Sequence, residues 1–246
     1  MLGLISALVA LSPLSPAFSR VVVTAGRFAP LIGLERGQVD LPIAAFSLDV
    51  RPVSRLQFEA FLKGHPQWRR GQPGPRLTDE RYLLSFQRLA PHAPAVEVSY
   101  FAARAYCAWA HGRLPTTLEW EYAAAADEAG TGASQRAQLT QRILEWYSRP
   151  FSFEDLNAAG SARNVYGIEA LHGLVWEWTD DFNAQLAASD SREGGTADSN
   201  FTCGGGDLGS NRREEYAAFI RYALRSSLSP RDALPNLGFR CAGAAP

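Results

Sequence analysis

Residues 105–122 read AYCAWAHGRLPTTLEWEY, and their punctuation decides the local fold. Thr116 and Glu119 have the spacing of a capping box. The threonine hydroxyl can accept from the third helical amide, and the glutamate can reach back to the cap amide. Pro115 precedes the cap, so the pattern predicts a helix from Thr116 to about Ala126. Upstream, Ser99 caps a second helix that runs through Trp109 and is stopped by Gly112. Arg113 and Glu119 are spaced to pair with each other or to satisfy loop backbone. Trp120 and Tyr122 supply bulk, which marks the stretch as structural.

Toward the C-terminus, residues 171–178 read LHGLVWEW. Val175 to Trp178 is a strand candidate, with Trp176 and Trp178 on one face and Val175 and Glu177 on the other. Two tryptophans on one face predict core. Arg221 to Ser226 is the second strand candidate. Residues 134–147 carry Leu139, Ile143 and Trp146 at helical spacing. Glycines at 167, 173, 194, 195 and 204–206 punctuate the rest as turns. The acidic loop residues Asp180, Asp181, Asp190, Glu193 and Asp198 read as solvated.

Toward the N-terminus, Ser54 and Gln57 form another capping box, giving a helix from Ser54 to Lys63 that Gly64 and Pro66 end. The polar, Pro-, Gly- and Arg-rich stretch from Gln67 to Pro94 reads as a long loop with a short helix near Arg81 to Phe86. Val21 to Val23 and Val39 to Leu48 read as strands. No linker divides the chain, so residues 20–246 are expected to form a single α+β domain.

The chain has 246 residues and a formal net charge of -1. That balance argues against a nucleic-acid partner, which calls for a basic face. Residues 1–19, MLGLISALVALSPLSPAFS, carry no charged side chain. Their apolar run is too short to span a bilayer, and Ala17-Phe18-Ser19 is a small-x-small tripeptide. This layout predicts a signal peptide cut after Ser19, a periplasmic or secreted location, and no membrane span once it is removed.

Taken in order, the helix from Ser99, RLPTTLEWEYAA, NVYGIEALHGLVWEWTDDF and the closing NLGFRCA resemble the formylglycine-generating enzyme, or sulfatase-modifying-factor, family. RPVSRLQFEAFLKGHP extends the likeness over most of the chain. The resemblance implies a C-type-lectin-like α+β fold with few short strands, several helices and much ordered loop. It also implies a disulfide between Cys107 and Cys241, which would leave Cys203 unpaired. At Glu177 it implies a calcium site, with carbonyls from Gly173 and Val175. That site is degraded, because Ala170 and Leu174 stand where the family commonly has amide or acidic side chains.

The family's copper(I) site needs two cysteines five residues apart, since thiolates suit that soft ion. An arginine follows the second cysteine by three. Counting back from NLGFRC puts Arg225 on that arginine, Tyr222 on the second cysteine and Ala217 on the first. Copper at the family site is therefore not expected, nor is formylglycine generation. His65, His92, His111 and His172 show no metal-ligand spacing.

Two functional readings follow. In the first, the chain is a non-catalytic accessory or binding factor for a periplasmic redox protein. YGIEALHGLVWEWTDDFN and NFTCGGG also look like the exported NirV-like branch associated with copper nitrite reductase. In the second, it is an oxygen- or metal-dependent oxidoreductase with a rebuilt site, for which Cys203, Tyr222, Arg225 and His172 are the candidate residues.

Overall fold

The computed structural model describes residues 19–30, 40–126, 133–157, 163–183 and 210–246. The elements run β1 (Arg20–Val23), β2 (Gly26–Phe28), β3 (Leu41–Ile43), β4 (Phe46–Asp49), α1 (Arg55–Gly64), α2 (Tyr100–Trp109), α3 (Thr117–Ala124), α4 (Ala133–Ser148), α5 (Phe153–Asn157), β5 (Trp176–Glu177), α6 (Ser210–Ser227), β6 (Leu237–Gly238) and β7 (Ala242–Ala244). This is the expected α+β arrangement of short strands, helices and ordered loops.

The capping boxes set the helix starts as the sequence predicts. Ser54 accepts from the Gln57 amide and Thr116 from the Glu119 amide, and both reciprocal bonds are present. Ser99 caps α2 by accepting from Ala102. Arg113 both pairs with Glu119, at 2.6 Å, and donates to the Leu114 carbonyl.

The sheets are small. β4 lies between β1 and β7, antiparallel to each, so the two ends of the described chain share one sheet. β2 pairs antiparallel with β3, and β5 pairs parallel with β6. The run expected from Val39 to Leu48 is thus two strands, separated by Ala44 and Ala45, that join different sheets. One core packs α1 and α2 against Trp178, Leu237 and Phe239, and the other packs α3 against β1 and β4. The disulfide joins Cys107 on α2 to Cys241 beside β7, with Cα atoms 5.4 Å apart. It sits wholly inside the first core.

Three local expectations are corrected. Arg221 to Ser226 is not a strand but the last turns of α6. Residues 216–227 are rich in Ala, Leu and Arg, all good helix formers, with Ile220 the one β-branched residue. A short apolar run does not by itself distinguish helix from strand. The helix near Arg81 to Phe86 is turns followed by a single 3-10 turn over Phe86–Arg88. Trp176 is not core like Trp178: it is half-buried and faces a cavity, whereas Trp178 is sealed in and donates to the Val98 carbonyl.

A buried charge cluster beside an aromatic cavity

The site is assembled from α3, α4, α6 and the loop leading into β5. Ala217, Arg221 and Arg225 recur every four residues and so share one face of α6. That face meets Glu121 on α3. Arg221 donates to both Glu121 oxygens, at 2.9 Å to Oε1 and 2.6 Å to Oε2, and Arg225 donates to Oε1 at 2.7 Å. All three side chains are buried. The Arg225 guanidinium also lies over the Trp120 ring, 4.6 Å from its centre.

A carboxylate between two guanidiniums is the arrangement that lets charge persist away from water. Burial alone pushes Glu121 up, but Arg221 and then Arg225 outweigh it and hold the carboxyl at about 2. Burial likewise works against the charge of Arg221, and Glu121 more than offsets it. Tyr222 is buried next to these charges, and burial drives its hydroxyl well above the ordinary phenol range. It is therefore a neutral phenol at physiological pH.

His172 joins the cluster from the loop. Its Nε2 lies 3.0 Å from the Ala124 carbonyl, and its ring meets Trp120 edge-on at 5.6 Å. Burial, reinforced by the field of Arg221, lowers the imidazole to about 3. A neutral ring bonded in this way must donate from Nε2, which leaves Nδ1 as an acceptor.

Tyr147 on α4 links the cluster to the cavity. It accepts from Arg221 at 3.2 Å and donates to the Ala217 carbonyl at 3.3 Å. Its ring stacks on Trp176 at 4.8 Å, and Trp146 packs against Trp176 at 5.0 Å. These three rings wall a cavity of about 300 Å³ whose rim includes Arg51, Arg149, Asp155 and His172.

A second buried pair holds the tryptophan strand. Arg240 and Glu177 are both fully buried. Arg240 Nε donates to Glu177 Oε2 at 2.7 Å, and Nη2 donates to Oε1 at 2.8 Å, a bidentate pair. Trp120 Nε1 adds a bond to Oε2 at 2.7 Å. The remaining Arg240 donors reach the carbonyls of Asp49, Val50, Glu169 and Ala170. Glu177 is therefore the counter-ion of a buried arginine, and this donor set does not fit calcium. A second cation there would meet the guanidinium already bonded to both carboxylate oxygens. Among the described residues, no three His, Cys, Asp or Glu side chains lie close enough to hold a metal ion.

The predicted candidates are thus partly united. Tyr222, Arg225 and His172 converge on Glu121, while Cys203, with Asp190, Glu193 and Asp198, lies outside the described residues. Asp181 is not a solvated loop residue, since it accepts from both the amide and the hydroxyl of Thr117 at the start of α3. Sequence reasoning missed Glu121, Arg221, Tyr147 and Arg240. The spacing of Arg221 and Arg225 was a usable signal, because two like charges four apart on a helix call for a shared counter-charge.

Fold and site together define an α+β protein of short strands and long ordered loops, organised around buried arginine–glutamate pairs. Residues 7–245 match the family model described as the sulfatase-modifying factor enzyme 1-like domain. The chain belongs to that family. It is 34% identical over 175 residues to a formylglycine-generating enzyme of Streptomyces coelicolor, covering 63% of this chain and 54% of the relative. It is 36% identical over 163 residues to the Inactive C-alpha-formylglycine-generating enzyme 2 of Bos taurus, covering 62% and 50%. The chain thus spans about half the length of these curated relatives. The solved structure of PvdO from Pseudomonas aeruginosa superposes with a TM-score of 0.52 at 20% identity, covering 92% of this chain and 94% of that one. That likeness concerns the fold alone.

Proposed function

We propose that this chain is a binding or accessory member of the sulfatase-modifying-factor family that does not generate formylglycine. One observation carries the reading. The two α6 positions assigned to the catalytic thiols hold Ala217 and Tyr222, both buried. Neither residue supplies a thiolate, and the Tyr222 phenol is held protonated by burial, so the donor set does not fit copper(I). Arg225, aligned with the family's arginine, is spent on Glu121. A relative that bears the name of an inactive formylglycine-generating enzyme supports the same view.

On this reading the chain is exported and serves a periplasmic redox protein, of the kind found in copper and nitrite respiration. The uncharged residues 1–19 and the Cys107–Cys241 bridge support export, since disulfides persist in oxidising compartments. Among the described residues no helix is long and apolar enough to cross a membrane. Calcium is no part of this reading, because Glu177 is committed to Arg240.

A second reading, an oxygen- or metal-dependent oxidoreductase with a rebuilt site, draws on the convergence of Tyr222, Arg225 and His172. Metal analysis of purified protein separates the two. Stoichiometric copper or iron that is lost on Cys203→Ser favours the oxidoreductase. A metal-free protein favours the binding factor.

A further inference from the structure

We propose that the cavity beside α4 is a binding site for a small planar heteroaromatic carboxylate whose ring carries an N–H. This deepens the binding-factor reading above and rests on it. The volume, about 300 Å³, lies at the small end of ligand pockets and suits a ligand of one or two rings. Its wall is the ring set Trp146, Tyr147 and Trp176, the surface against which a flat ring packs best. That wall is fixed from behind, because Arg221 and the Ala217 carbonyl hold the Tyr147 hydroxyl.

Two polar groups select the ligand's substituents. His172 lines the cavity, and with Nε2 spent on Ala124 its neutral Nδ1 is left to accept from a ligand N–H. Arg149 lies exposed at the rim just past the end of α4, where its guanidinium suits a carboxylate. Arg51, by contrast, is occupied by Glu169. Asp155 at the same rim disfavours a second negative group on the ligand.

The probe is indole-3-acetate, titrated into the full chain by calorimetry, with circular dichroism as the check on folding. The expected result is saturable one-to-one binding. Arg149→Gln, an exposed change, weakens it about tenfold or more, as does using indole without the carboxylate. 1-Methylindole-3-acetate, lacking the N–H, binds more weakly, and Trp176→Ala abolishes binding. Folded protein with no saturable heat overturns the proposal, as does Arg149→Gln binding equal to the parent or cyclohexylacetate binding as tightly as the probe. A parallel assay for conversion of a cysteine peptide distinguishes the failures. Absent binding without peptide conversion removes only the ligand assignment, whereas peptide conversion removes the underlying reading.

Discussion

Arg225 donates to Glu121 at 2.7 Å with its guanidinium 4.6 Å from the centre of the Trp120 ring, and both charges are buried. Arg225 is thus a buried cation whose charge is held by Glu121. Glu121 also holds Arg221, so one carboxylate is shared by two guanidiniums. Glu121→Gln leaves both without a counter-charge, and removing one member of a buried ion pair costs about 3–5 kcal/mol. Urea denaturation of the variant is expected to show a loss of that size. A loss below about 1 kcal/mol would mean that the cluster is hydrated and weakly coupled.

Acid stability follows from the same cluster. The folded-state value of His172, about 3, lies below its ordinary value of 6.5, so the unfolded chain binds the proton more readily. Its contribution is complete above about pH 6.5 and declines as pH falls toward 3. Glu121, held at about 2 against an ordinary 4.5, adds a second decline below about pH 4.5. The urea midpoint is expected to drop in both windows. His172→Phe should flatten the upper window and leave the lower one intact.

The legible part of this molecule was the part encoded locally. Ser54, Ser99 and Thr116 announced their helices because a cap bonds within three residues. The Cys107–Cys241 bridge came with the family resemblance and is present. What the sequence hid depends on long-range partners. Glu121 meets Arg221 across a sequence separation of 100, and Glu177 meets Arg240 across 63. No local pattern marks such pairs. Arg221 to Ser226 was misread as a strand because its apolar content is compatible with either period, and packing against α3 and α4 decided for the helix.

The disulfide makes a clear chemical prediction. It spans 134 residues, and a loop of that length stabilises by roughly 4–5 kcal/mol in chain-entropy terms. Thiol labelling of unfolded, unreduced protein is expected to find one reactive cysteine, Cys203, and three after reduction. Three before reduction would refute the bridge.

Arg240 should resist even conservative change. A lysine has no fork to match the Glu177 carboxylate while also reaching the carbonyls of Asp49, Val50, Glu169 and Ala170. Arg240→Lys is expected to cost at least about 2 kcal/mol, since buried carbonyls lose their donors. Thermal melts compared with the parent protein measure this, and an unchanged melting temperature would count against a tight Arg240 cradle.

The most direct test of the central claim is mass spectrometry of a cysteine-containing sulfatase peptide incubated with the purified chain, copper(I), a thiol reductant and oxygen. On the proposed reading, which assigns the thiolate positions to Ala217 and Tyr222, the peptide's cysteine is expected to remain unconverted at every protein concentration. Time-dependent conversion of that cysteine to formylglycine, abolished by heat-denaturing the protein, would contradict the account.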